Sequence, residues 1–171
     1  MKKYELTAEF IEQWGKKLFR IKALISFGSV EAGELGGYVE KEDNLAQDGD
    51  AWVCDDAWVY GNARVYGNAE VCGNAWVCGN AWVCDNADYL LIGRIGSRFS
   101  FTTFFKNKDK GITVSCGCFL GTIAEFRAKV TDTHGNNKHA KMYNLAADMA
   151  ELQILGEEHF DKLNTNKSEP F

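Results

Sequence analysis

Ala51-Trp52-Val53-Cys54-Asp55-Asp56, Ala57-Trp58-Val59-Tyr60-Gly61-Asn62, Ala63-Arg64-Val65-Tyr66-Gly67-Asn68, Ala69-Glu70-Val71-Cys72-Gly73-Asn74, Ala75-Trp76-Val77-Cys78-Gly79-Asn80 and Ala81-Trp82-Val83-Cys84-Asp85-Asn86 follow one another without interruption. The consensus is Ala-x-Val-Tyr/Cys-Gly/Asp-Asn/Asp, and a fixed period of six marks stacked repeats. Alanine and valine point inward from a short extended segment, and Gly-Asn or Asp-Asn supplies a corner. One hexapeptide cannot bury its own apolar face, so its neighbours must stack on it. These residues predict a mainly β chain: a short left-handed parallel β-helix of hexapeptide repeats over residues 45–92. A small N-terminal capping module (1–44), a C-terminal β-β-α-α module (93–156) and a polar tail (157–171) complete the expectation. Three hexapeptides make one turn of such a helix, so residues 18 apart are expected to face one another.

The flanks read less regularly. Thr7 or Glu9 is a candidate start for a short helix running to Trp14, with Gly15 ending it. Residues 18–24 alternate like a half-buried strand, and Leu35-Gly36-Gly37-Tyr38-Val39-Glu40 leads into imperfect hexads at 39–44 and 45–50. Residues 99–105 and 112–118 read as a hairpin around a Lys/Asn/Asp/Gly turn. Thr122-Ile123-Ala124-Glu125 has capping-box spacing and opens a helix that ends near Gly135. A second helix is expected over 137–155, burying Met142, Leu145, Met149 and Leu152. The tail after Gly156 is polar, holds Pro170, and is expected to fray.

The chain has 171 residues, 46% apolar and 13% aromatic, which suffices for a packed core. No run of about 18 apolar residues is present, so no membrane span is expected. The first six residues lack the hydrophobic stretch of a signal peptide. A cytoplasmic location follows as an expectation, with reduced cysteines. The net charge of −5 is unevenly spread. Residues 45–90 carry Asp48, Asp50, Asp55, Asp56, Glu70, Asp85 and Asp88 against Arg64 alone. Residues 94–141 carry Arg94, Arg98, Lys106, Lys108, Lys110, Arg127, Lys129, Lys138 and Lys141 against Asp109, Glu125 and Asp132. A basic module of this kind attracts anionic ligands.

The outward x position of the repeat holds Trp52, Trp58, Arg64, Glu70, Trp76, Trp82 and Asp88. Large exposed apolar groups mark contact surfaces, so Trp58, Tyr60, Arg64, Tyr66, Trp76 and Trp82 are read as the interface of a homo-oligomer, a trimer. Cys54 and Cys72 fall on adjacent turns and are read as small replacements in the aromatic slot. Cys116 and Cys118 lack the companions of a zinc site, and neither a metal nor a cofactor is expected.

Hexapeptide repeats resemble acyltransferases first. That resemblance implies a general-base histidine on a coil, whereas His134, His139 and His159 all lie beyond the repeats. No catalytic residue is assigned, and the reading leans away from an enzyme. The best small-ligand signal is the segment from Gly117 to Gly121 before the capped helix, since glycines let backbone amides approach a ligand and helix N-termini favour anions. Arg94, Arg98, Lys106 and Arg127 are the candidate phosphate partners, and Phe104 or Phe119 a base-stacking partner. Ser97, Thr102 and Thr103 add hydroxyls, Gly117 its backbone, and His134 an imidazole.

Tyr4-Glu5-Leu6-Thr7, Leu35-Gly36-Gly37-Tyr38-Val39-Glu40, the Ala-x-Val-Tyr-Gly-Asn runs, Ile95-Gly96-Ser97-Arg98, Thr102-Thr103-Phe104-Phe105 and Val114-Ser115-Cys116-Gly117-Cys118-Phe119 occur together in this order. In this combination the chain resembles small hexapeptide-repeat proteins encoded by phages and prophages of bacteria. The resemblance implies a phage setting in a bacterial host and transfers no chemistry. The leading expectation is a non-catalytic oligomer that sequesters an anionic small molecule, a cyclic nucleotide or other nucleotide signal of host immunity, as an anti-defence sponge. Membrane and nucleic acid are set aside as partners. Two alternatives stay open: a protein-interaction module using the acidic repeats or their tryptophans, in the manner of a DNA mimic, and a hexapeptide-repeat acyltransferase.

Overall fold

The structure, a computed structural model, describes residues 1–167; positions 168–171 of the expected tail, Pro170 among them, lie outside the described residues. The chain divides into two compact units, Met1–Asp88 and Tyr89–Phe171. Among the described residues no helix is long and apolar enough to cross a membrane.

The first unit opens with a hairpin of β1 (Tyr4–Gln13) and β2 (Lys16–Ala23). The short helix expected before Trp14 does not form. Gln13 pairs with Lys16, so Trp14 and Gly15 are the two central turn residues, both at positive φ (49° and 74°). That is the backbone of a I′ turn, whose twist matches antiparallel strands. Strand β3 (Leu35–Val39) pairs with β2, and the hexapeptides then give six strands of two residues each: β4 (Trp52–Val53), β5 (Trp58–Val59), β6 (Arg64–Val65), β7 (Glu70–Val71), β8 (Trp76–Val77) and β9 (Trp82–Val83).

These strands do not make the expected short left-handed parallel β-helix. Three pairs do stand 18 residues apart: Trp52 with Glu70, Trp58 with Trp76, and Arg64 with Trp82. Yet β4–β7 and β6–β9 remain isolated two-stranded pairs, while β5–β8 joins the hairpin in a five-stranded mixed sheet of order β1-β2-β3-β5-β8. The spacing is also uneven. Tyr38 pairs with Trp58 and Leu45 bridges Val65, both 20 residues apart, because the inward positions Leu45 and Val53 stand eight residues apart instead of six. A changing period and columns this shallow cannot sustain a regular parallel helix.

Burial follows the consensus at alanine and valine, but Trp52 and Asp88, expected to point outward, are buried, Trp52 beneath Tyr4 and Phe27. Every alanine and valine of the six repeats is 1% exposed or less, and each fully buried valine contributes about 1.5–3 kcal/mol. Gly37 sits against this core with no room for a side chain: a Cβ there would lie 2.6 Å from the Ala57 carbonyl oxygen. Lys3, buried, donates to the Ala51 carbonyl at 2.8 Å and lies over the Phe27 ring. Burial pulls its ammonium below the usual lysine range, against the attraction of Asp48 and Asp50.

The second unit is a four-stranded antiparallel sheet in sequence order, β10 (Tyr89–Ile95), β11 (Ser100–Lys106), β12 (Ile112–Cys116) and β13 (Phe119–Thr122), with three helices, α1 (Ile123–His134), α2 (Lys138–Leu155) and α3 (Glu157–Lys167). It corrects the β-β-α-α expectation by two strands and one helix, and α3 occupies much of the expected tail. Thr122 and Glu125 form the capping box, and Gly135 ends α1. The buried face of α2 is Ala140, Tyr143, Ala146, Ala147 and Ala150, whereas Met142, Leu145, Met149 and Leu152 are exposed. Alanines let the helix approach Phe104, Val114 and Phe126 closely, which larger side chains prevent.

Candidate functional site

Two hairpin turns at one end of the β10–β13 sheet frame the candidate site. Ile95 pairs with Ser100, leaving Gly96, Ser97, Arg98 and Phe99 in the first turn. Gly96 rests on Tyr143 of α2, where any Cβ would overlap the phenolic hydroxyl. In the second turn Cys116 pairs with Phe119, so Gly117 and Cys118 are the central residues. Gly117, at φ 59°, takes the left-handed first position of a II′ turn. Phe126, Lys129, Val130 and Thr133 add one face of α1, and His134 follows at its end.

The cleft enclosed between these elements has a volume of about 370 Å³. Arg98, Lys129 and His134 line it, and among the described residues no carboxylate does. Lys129 has Asp132 at 4.0 Å, but both side chains are largely exposed, and such pairs are worth little in water. Phe119, Phe126 and Tyr143 form an aromatic wall, with Phe126 5.7 Å from Phe119 and 5.6 Å from Tyr143 between ring centres. The His134 ring stacks on Tyr143 at 5.8 Å. The buried Thr102 hydroxyl donates at 3.2 Å to the sulfur of Cys116, which lines the cleft. Burial pushes the Tyr143 phenol up, the adjacent Cys116 adds to that rise, and Arg98 opposes it. Tyr143 therefore remains a proton donor at neutral pH.

Of the residues singled out in the sequence, Ser97, Arg98, Gly117, Phe119 and His134 meet in this cleft. Phe104 is fully buried, edge-on to Phe126, and has no face free for a base. Thr102 and Thr103 are buried within β11. Lys106 pairs with Ile112 at the opposite end of the sheet, and Arg94 is exposed on β10 outside the cleft lining. Arg127 is committed elsewhere: it donates to Asp148 and Glu151 at 2.7 Å and to Asn144. The glycine-loop-to-helix anion cradle does not form either. Strand β13 separates Gly117 from the α1 N-terminus, where the Glu125 carboxylate already accepts from the Thr122 N–H. Cys116, Lys129, Thr133 and Tyr143 were not found from the sequence. A signal existed for some of them: Phe126, Lys129, Val130 and Thr133 have the i, i+3, i+4, i+7 spacing of one helix face.

In the first unit, Trp58 and Trp76 stack at 4.9 Å, and Trp14 of the β1–β2 turn packs edge-on against both. This pair is half-buried within its own chain. Trp82 stays 44% exposed, with Tyr66 edge-on to it. Arg64, Tyr66 and Trp82 line a separate groove of about 440 Å³. Cys54 and Cys72 are joined in a disulfide with Cα atoms 4.7 Å apart, which corrects the expectation of six reduced cysteines.

Fold and site together define a two-unit β-rich protein whose second unit carries a cationic, aromatic-walled cleft. No protein-family model matches the chain, and no curated protein is significantly similar to it. The resemblance to phage proteins therefore rests on the quoted motifs alone.

Proposed function

We propose that this chain is a non-catalytic, phage-type binding protein that sequesters a small anionic molecule with an aromatic ring, a nucleotide of the cyclic signalling kind. The observation that carries the reading is the convergence of Arg98, Lys129 and His134 on one cleft that no carboxylate among the described residues lines, beside the rings of Phe119 and Tyr143. Charge-assisted hydrogen bonds from Arg98 and Lys129 contribute about 1.5–3 kcal/mol each, and stacking a base on an aromatic ring about 1–3 kcal/mol. A cleft of about 370 Å³ lies within the ordinary range for small-molecule sites. Self-association as a trimer belongs to the same proposal, supported by the exposed Trp82 and Trp14, as does a cytoplasmic setting in a bacterial host.

Isothermal titration with cyclic mononucleotides, cyclic dinucleotides, linear nucleotides and inorganic phosphate tests the site. The expected result is micromolar or tighter binding of one nucleotide class. Arg98→Ala and Lys129→Ala should each weaken it about tenfold or more without changing thermal stability. Silence across the whole panel retires the proposal. Native mass spectrometry reports stoichiometry and any retained ligand in the same spectrum.

A further inference from the structure

The repeat stack carries a second chemical feature, on the opposite side of the charge asymmetry. Two of its side-chain columns place tyrosine against cysteine 18 residues on, Tyr60 with Cys78 and Tyr66 with Cys84; only the Cys54 column holds two thiols, Cys54 and Cys72. The corner after Cys54 also departs from the pattern. Gly61, Gly67, Gly73 and Gly79 turn four of the other five corners at φ between 65° and 70°, and Asp55 takes this position at φ 53°. Glycine adopts that conformation freely, and aspartate is among the few other residues that visit it. The Asp55 carboxylate accepts the Gly73 N–H at 3.0 Å, which holds it over the column. One carboxylate oxygen and the two sulfurs all lie within 4.8 Å of one another.

We propose that Cys54, Cys72 and Asp55 form a thiolate site for zinc, available when the disulfide between the two cysteines is reduced. Thiolate and carboxylate are both zinc donors, and three protein ligands with a fourth position open to water make up a zinc site. Thiolate donors select thiophilic ions over magnesium and calcium. The acids of residues 45–90, which Arg64 alone opposes, favour a cation on this part of the chain. Disulfide and metal states exclude each other because they use the same two sulfurs. With a phosphine reductant the disulfide, one phosphine and one water yield two thiols and one phosphine oxide. Zinc then displaces the two thiol protons as the sulfurs bind.

The test uses the full chain, reduced with a phosphine under argon and titrated with Zn²⁺, and with Cd²⁺ as an optical reporter of thiolate ligation in the ultraviolet. The reduced protein should take up one equivalent, and the oxidised protein none at this site. C54S and C72S should each abolish stoichiometric uptake. D55G places there the glycine of four other corners, so it spares the fold while removing the ligand; uptake should weaken about tenfold or more. Uptake should persist in C116S/C118S, which removes the two thiols of the β12–β13 turn. Failure of the reduced protein to bind one equivalent overturns the proposal. So does equal uptake by C54S/C72S, or uptake that vanishes only in C116S/C118S.

Discussion

Arg127→Met separates a ligand-binding role for this arginine from a structural one. The guanidinium sits 2.7 Å from both Asp148 and Glu151, with side-chain exposures of 23% for Arg127, 35% for Asp148 and 8% for Glu151. Methionine keeps the stem and removes the charge, leaving two carboxylates facing each other, one of them buried. Breaking a fully buried ion pair from one side costs about 3–5 kcal/mol. The partial exposure of Arg127 and Asp148 admits screening, so the expected loss is about 2–3 kcal/mol. A unit of this size loses roughly 4–8 °C of Tm per kcal/mol, so its melting point should fall by about 10–20 °C. The assay is built into the sequence. All five tryptophans lie in the first unit, at positions 14, 52, 58, 76 and 82, whereas the three α-helices lie in the second. Helical circular dichroism should therefore report the destabilisation while tryptophan fluorescence melts as in the wild type. Replacing Glu151 by Gln in the same background should recover part of the loss. The reasoning is refuted if Arg127→Met melts normally in the helical signal while ligand binding collapses, since Arg127 would then serve the ligand.

Acid unfolding of the first unit should depend on Glu40. Burial pushes its carboxyl up, but the Lys16 ammonium and the Gly61 N–H, each 2.6 Å away, outweigh this and hold it below the usual range. The stabilisation is thus complete above about pH 4.3 and lost as pH falls through the lower native value, so Glu40→Gln should flatten the acid limb read by tryptophan fluorescence. Gly37→Ala should destabilise the first unit by about 3 kcal/mol in urea, the upper end of overpacking costs, because a backbone carbonyl blocks the new methyl. Asn137→Ala should cost about 1 kcal/mol of helical stability by removing the cap that accepts from His139 and Ala140, and Asn137→Asp should retain it.

Local chemistry was legible wherever a few neighbouring residues decide it. The capping box at Thr122 and Glu125, the stop at Gly135 and the polar turn between β11 and β12 each follow from short-range hydrogen bonds or glycine backbone freedom. The inward alanines and valines were legible for the same reason. The first strand was misread because Gly15 serves a hairpin turn as readily as a helix end, and only the partner strand shows which. The buried face of α2 is not legible in the sequence because hydrophobicity points to its large apolar residues, while close approach to the sheet selects the alanines.

The candidate site shows the same division. Arg98, Gly117 and Phe119 stood out because basic, glycine and aromatic residues cluster near the turns. Tyr143 did not, since nothing in its neighbourhood announces that Gly96 rests on its hydroxyl. Arg127 looked equivalent to Arg98 until Asp148 and Glu151 were seen to claim it.

The sequence alone determined that the alanines and valines of the repeat are buried, where residues 18 apart pair, and that charge divides the chain into an acidic and a basic part. These depend on period and composition, which are local or additive. Only the tertiary structure decided that the repeat strands join a mixed sheet instead of a regular helix, that Cys54 and Cys72 meet beside Asp55, and which cations remain free to face a ligand. Each of those depends on what a residue distant in sequence already occupies.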